Sequence, residues 1–276
     1  MLIEILQSIL LGIVQGITEW LPISSTGHMI LVNEFLHFME SNDDFRNLFL
    51  VVIQFGSILA VVTIYFHKLN PFSPKKTDIQ KRETWTMWLK VLAGCVPAGI
   101  IGLLFDDFID TVLYKWYVVA ATLIIYGFAF LIIENMNKKP KIESIEGMSY
   151  KTALLIGVFQ MLALIPGTSR SGATILGAVL LGTSRYVATE FSFFLAVPVM
   201  LGASGLKILK YFMGNGLFGA EETIILLVGM ITAYVVSIFA IKFLMGYIKK
   251  HDFKAFGYYR IILGVLIILY FAFVGL

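Results

Sequence analysis

EWLPISSTGH, residues 19–28, is the stretch on which the reading of this chain turns. It gathers a carboxylate (Glu19), three hydroxyls (Ser24, Ser25, Thr26) and an imidazole (His28) around a break at Pro22. SILLGIVQGIT (8–18) precedes it and MILVNEFLHF (29–38) follows. Ionisable groups inside lipid-like sequence are costly, so they face a cavity and mark a site. Two ordinary helices with polar ends in water would also give such a passage. Here both flanks stay apolar for more than a helical turn and the polar groups fall together, which favours a site.

Composition fixes the class around that stretch. Of 276 residues, 58% are hydrophobic and 14% charged, with mean hydropathy +0.86. Soluble domains are about a quarter charged, so the chain reads as an all-α polytopic membrane protein, a single integral membrane domain over 1–276. The net charge of +3 belongs in loops of such a protein, and no nucleic-acid partner is expected. The single cysteine, Cys95, lies in an apolar run, which rules out a disulfide within the chain and a Cys-based zinc site. MLIEILQSILLG (1–12) has neither the basic region nor the cleavage site of a signal peptide and reads as mature structure.

Hydropathy predicts six transmembrane helices, over 48–66, 85–105 (kinked at Pro97), 116–133, 191–209, 223–247 and 261–276. Asp106, Asp107 and Asp110 mark an acidic turn after the second. Four short apolar pieces remain, 1–21 and 24–39, parted by Pro22, then 150–165 and 169–181, parted by Pro166; 24–39, which carries His28, Asn33 and Glu34, falls short of the roughly 20 apolar residues a span needs. Each pair reads as a re-entrant hairpin that enters and leaves on one side. Lys and Arg concentrate in the loops 67–84, 134–151 and 248–260, which places these on the cytoplasmic side. The first hairpin then opens outward and the second inward. Lys242 and Tyr247 read as anchors at one end of the fifth span.

A shift of 145 residues puts Gly12 on Gly157, Gln15 on Gln160, Ser24 on Ser169, Thr26 on Ser171 and Gly27 on Gly172. Halves 1–136 and 150–276 therefore each read hairpin, span, span, span. An odd number of spans per half forces an inverted-topology repeat, whose two hairpin tips meet near the bilayer midplane.

The residues at those tips suit phosphoryl transfer. Gln15 and Glu19 share one face of the helix that Pro22 ends. Ser24 or Ser25 caps the outgoing helix and puts Thr26, Gly27 and His28 in its first turn, whose free N–H groups attract an anion. In PGTSRSGAT (166–174), Thr168 or Ser169 caps a helix whose first turn carries Arg170, Ser171 and Gly172. Arg170 offers a fixed fork to phosphate oxygens. A divalent cation, Mg²⁺ or Ca²⁺, on Glu19 and Gln15 would neutralise charge, and Ser25 or His28 would carry attack and proton movement. Gln54, Gln160, Ser57, Ser192 and Ser204 read as helix-packing groups. Glu190, at the start of the fourth span, reads either as an interfacial residue or as a support residue that pairs with Arg170 or Arg185.

QGITEWLPISSTGHMI (15–30), QFGSILAVV (54–62), PGTSRSGATI (166–175) and SRYVATEFSFFLAVPVMLGA (184–203) resemble the undecaprenyl-diphosphatases, the bacitracin-resistance family, over essentially the whole chain. The resemblance implies a phosphatase that converts undecaprenyl diphosphate to undecaprenyl phosphate, recycling the lipid carrier for peptidoglycan and other envelope polymers. It implies divalent-metal dependence, a bacterial cytoplasmic-membrane location and an outward-facing site. It also implies raised tolerance of bacitracin, which sequesters that substrate. A homodimer is compatible with this reading. The family's acidic motif falls on Gln15 and Glu19, its SSTGH segment on Ser25, Thr26 and His28, and its SRSG segment on Ser169, Arg170 and Ser171. Gln15 departs from the Glu often found at the first position. The competing reading is a lipid transporter or flippase, because inverted repeats with broken helices are transporter architecture. A phosphatase built on a His pair is excluded, because the next His after Arg170 is His251.

Overall fold

The computed structural model describes residues 1–39, 42–113 and 115–274, without the side chains of residues 106–108, 110 and 111, so the acidic turn read at Asp106, Asp107 and Asp110 lies outside the described side chains. Eleven α-helices follow in order among the described residues. They are α1 (Leu2–Thr18), α2 (Ser25–Leu36), α3 (Asp43–Ile64), α4 (Phe66–Leu69), α5 (Asp78–Phe108), α6 (Trp116–Asn135), α7 (Tyr150–Met161), α8 (Arg170–Leu180), α9 (Arg185–Asn215), α10 (Ala220–Tyr247) and α11 (Lys254–Phe273).

Six of them, α3, α5, α6, α9, α10 and α11, are long and apolar enough to cross a membrane. Large apolar side chains such as Leu103, Ile132 and Phe239 stand exposed on their outer faces, as a lipid-facing surface requires. This is a multi-pass membrane protein. Of the six, all but α6, which begins at Trp116 as expected, begin earlier than hydropathy alone places them, and capped polar turns precede the apolar runs of α3 and α9. Asn42 accepts the Phe45 N–H at 3.0 Å ahead of α3, and Ser184 accepts the Val187 N–H at 3.2 Å ahead of α9. The last span likewise starts at Lys254 instead of 261, which moves Tyr259 and Arg260 from the expected loop into α11. α5 carries Pro97 inside it, and the one residue outside helical geometry is Phe105 (φ −123°, ψ 16°).

The short helices come as two broken pairs. α2 has 12 residues and α8 has 11, so each is about 16–18 Å long at 1.5 Å per residue, well short of a bilayer core of ~30 Å. α1 packs on α10 and α7 on α5, while α3 packs on α9 and α6 on α11. Small residues set the closest of these approaches. A Cβ on Gly12 would stand 2.7 Å from the Gly229 carbonyl oxygen, and one on Gly157 2.2 Å from that of Gly94. Between hydrocarbon-solvated helices such close packing is the main source of association.

The breaks are built alike. Ser24 and Ser169 both lie at positive φ (75° and 73°), and each Oγ accepts the N–H three residues on, from Gly27 at 3.2 Å and Gly172 at 3.1 Å. Trp20, Ile23 and Ile175 bury themselves with Phe191, Phe193 and Phe194 beneath the breaks. Gly167 also has a left-handed φ of 87°, and a Cβ there would lie 2.2 Å from Thr122 Oγ1. Gly167→Ala should therefore lose roughly 1–3 kcal/mol from backbone strain alone. It should lower the melting temperature of the purified protein by several degrees, and an unchanged melting temperature would contradict this packing.

Candidate active site

Glu19 holds the two breaks together. Its helix ends before Pro22, leaving the carboxylate 6% exposed between the tips. Oε2 accepts the Gln15 Nε2 at 3.0 Å and the Ser25 Oγ at 2.9 Å. Oε1 accepts Arg170 Nη2 at 3.3 Å, an ion pair between residues 151 apart in sequence. A buried charge needs such a partner, since stranding one costs several kcal/mol. Arg170 Nη1 donates to the Ser192 carbonyl at 2.8 Å, and the guanidinium lies 6.0 Å from the Trp20 ring centroid. Its Nε is buried with no partner among the described residues, as is Trp20 Nε1.

Ser171 closes the junction by donating to the Glu19 carbonyl at 3.1 Å, and lies 3.1 Å from the Ser169 hydroxyl. The backbone amides divide into two sets. Those of Gly27 and Gly172 are taken by the capping serine side chains, while His28 and Ala173 bond the carbonyls of Ser24 and Ser169. The expected amide contribution of Gly27 and Gly172 is thus corrected. Among the described residues, the amides left without an acceptor are those of Ser25, Thr26, Arg170 and Ser171. Helix N-termini with open N–H groups favour anions.

His28 makes no hydrogen bond to Ser25 among the described residues. Its Nδ1 donates to the Ser24 carbonyl at 2.7 Å, so in the neutral ring Nε2 accepts from the Tyr259 hydroxyl at 2.7 Å. The two rings lie nearly parallel, 7° apart. Thr26 is half-buried beside them, and Thr168 is buried with its carbonyl turned to Arg260. Arg260 was hidden from sequence reading. Fully buried, it donates to the Pro22 carbonyl of the first break at 3.2 Å and to the Gly167 and Thr168 carbonyls of the second at 2.9 Å each. Each carbonyl freed by a helix break inside the protein needs a donor, and one guanidinium supplies three.

Two further expectations change. Glu190 pairs with Lys68 at 2.8 Å, and Arg185 pairs instead with Glu134. Ser192, expected only to pack, also orients Arg170 and bonds Thr174 Oγ1 at 2.7 Å. Gln160 and Ser204 do pack as expected, on the carbonyls of Gly94 and Val51.

The donor set for a metal is thin: no group of three His, Cys, Asp or Glu side chains converges among the described residues. Glu19 with the amide of Gln15 fits a hard cation that brings phosphate and water ligands with it. It does not fit zinc.

Arg260→Met keeps the length of the side chain but strands three carbonyls, each unmade bond costing about 1–3 kcal/mol. Phosphate release should fall at least tenfold, with Arg260→Lys recovering part of it. Equal activity in the Met variant would show that the tips hold without this clamp.

Comparison with known proteins agrees with this architecture. Residues 8–266 match the family described as bacitracin resistance protein BacA. The chain is 59% identical over 269 residues to the undecaprenyl-diphosphatase of Enterococcus faecalis, covering 97% of each chain. It is 60% identical over 270 residues to undecaprenyl-diphosphatase 1 of Clostridioides difficile, covering 98% of this chain and 97% of that one. It is 59% identical over 272 residues to the undecaprenyl-diphosphatase of Acetivibrio thermocellus, covering 98% of both. With its polar stretch and both breaks inside the matched region, the chain belongs to the bacitracin resistance protein BacA family.

Proposed function

We propose that this protein hydrolyses undecaprenyl diphosphate to undecaprenyl phosphate and inorganic phosphate, returning the carrier to peptidoglycan and envelope synthesis. The observation that carries the reading is the Glu19 carboxylate, hydrogen-bonded to the Ser25 hydroxyl on one side and paired to Arg170 on the other. A site that only bound phosphate would need the arginine and the open amides but not a hydroxyl primed by a carboxylate. That contrast favours the hydrolase over the transporter reading.

In this proposal the terminal phosphate settles on Arg170 and the open amides of Ser25, Thr26, Arg170 and Ser171. Arg170 exchanges part of its contact with Glu19 Oε1 for phosphate oxygens, which leaves the carboxylate more basic toward the Ser25 proton that its Oε2 already accepts. Ser25 Oγ attacks phosphorus, its proton passes to Glu19, and undecaprenyl phosphate leaves. Water then cleaves the phosphoserine and releases phosphate. Ser25 is favoured over His28 as nucleophile because both ring nitrogens of His28 are engaged, with Ser24 and Tyr259. His28 and Tyr259 border the site as a proton-carrying pair. A divalent cation held by Glu19 and Gln15 would neutralise charge on the diphosphate. Ser24, Ser169, Gly27 and Gly172 shape the two turns, and Thr168 holds the second through Arg260.

The interchanged packing, α1 on α10 and α7 on α5, supports an inverted repeat of 1–136 and 150–276 with two re-entrant hairpins. The basic loops support a bacterial cytoplasmic-membrane orientation in which the first hairpin opens outward. Bacitracin tolerance follows from faster removal of the diphosphate that bacitracin sequesters. A homodimer is compatible with this scheme.

Purified protein given a polyprenyl diphosphate should release phosphate, and a chelator should stop the release. Arg170→Ala and Glu19→Ala should abolish turnover, and Ser25→Ala should lower it by about three orders of magnitude, as loss of a nucleophile does. Quenching at early times should trap an acid-stable phosphoserine. An acid-labile adduct, or near-native turnover in Ser25→Ala, would move the nucleophile away from Ser25.

A further inference from the structure

A second polar cavity, of about 320 Å³, lies at the opposite end of α8 from Arg170, against the start of α9 and the ends of α6 and α10. Ten residues of helix separate Arg170 from Leu180 at its wall, about 15 Å at 1.5 Å per residue, so it is distinct from the catalytic tips. We propose that this cavity binds a phosphate group, most simply the headgroup of an anionic lipid, at the basic ends of the helices.

Four observations converge on that chemistry. Lys138 and Lys249 line the cavity, and neither makes an ion pair or hydrogen bond among the described residues. Arg185 also lines it; the Glu134 carboxylate beside it is already occupied by Arg185 Nε at 3.0 Å and by the Phe253 N–H at 3.1 Å. Thr183 is 3% exposed at the cavity wall, and its hydroxyl has no partner among the described residues. A buried hydroxyl left unpaired calls for an acceptor or donor from outside the chain. The backbone amides of Arg185 and Tyr186, at the N-terminus of the 31-residue α9, also have no acceptor among the described residues.

The cavity wall is built rather than loose. Lys141 and Ile142 donate to the Gly182 carbonyl at 2.8 and 3.0 Å, and Ser184 donates to that of Ile142 at 2.9 Å. These bonds staple the segment after α6 to the turn before α9. Basic pockets between transmembrane helices at the headgroup level are suited to anionic lipids, and free phosphate offers the same oxygens.

The test uses thermal unfolding of the full-length protein in neutral detergent with added phosphatidylglycerol, phosphatidylcholine or inorganic phosphate. Phosphatidylglycerol should raise the midpoint by several degrees and phosphatidylcholine should not. The rise should shrink at least threefold in the K138A/K249A double variant and in Thr183→Val. Phosphate hydrolysis by the double variant should stay within twofold of the unaltered protein, because these residues lie outside the tips. A rise with inorganic phosphate that the double variant loses would identify free phosphate as the source. No rise with either anion would overturn the proposal, as would a rise of equal size in the double variant, which marks binding at the tips or elsewhere. The inference stands whether or not the hydrolase reading does.

Discussion

A helix broken inside a membrane protein must find partners for the backbone groups it frees, because no water is there to take them. Two such breaks meet in this chain, and their mutual satisfaction organises the rest. Arg260 closes the carbonyls of Pro22, Gly167 and Thr168, while Ser24 and Ser169 close the amides that start the outgoing helices. The remaining amides, of Ser25, Thr26, Arg170 and Ser171, are the ones the fold leaves open. The site is what this accounting leaves unsatisfied.

The same logic governs the charges. Arg170 and Glu19 are each other's charge partner, and in the proposed mechanism a phosphate takes over part of that contact on Arg170. In that mechanism, ion-pair exchange couples arrival of the anion to release of the carboxylate as a base for Ser25. Gln15 makes this simpler than a second carboxylate would, because it donates to Glu19 without adding charge. The outcome is a site whose resting stability and reactivity use the same two residues.

Much of this was legible in the sequence, for identifiable reasons. The six long apolar runs read as spans and the proline-broken polar passages as the breaks between short helices, since Ser, Thr and Gly at helix starts have local signatures. The match of Ser24 with Ser169 extends to their shared positive φ. Partner choice was not legible. Lys68 reaches Glu190 across 122 positions, and nothing local distinguishes it from Arg185. Arg260 was missed because a charge beside an apolar run reads equally as a loop end or as a buried clamp. The signal available was the one used for Arg170, an arginine at the head of an apolar stretch.

The central claim is that Glu19 and Ser25 act as one unit, with the carboxylate serving the hydroxyl. Loss of Glu19 also strands Arg170, so single variants mix folding with chemistry. A double-mutant cycle of Glu19→Gln and Ser25→Ala, read as kcat/KM for phosphate release from folded protein, separates them. The account predicts that the double variant is no slower than the slower single variant. Multiplying losses, each residue costing its full factor in the absence of the other, would contradict it.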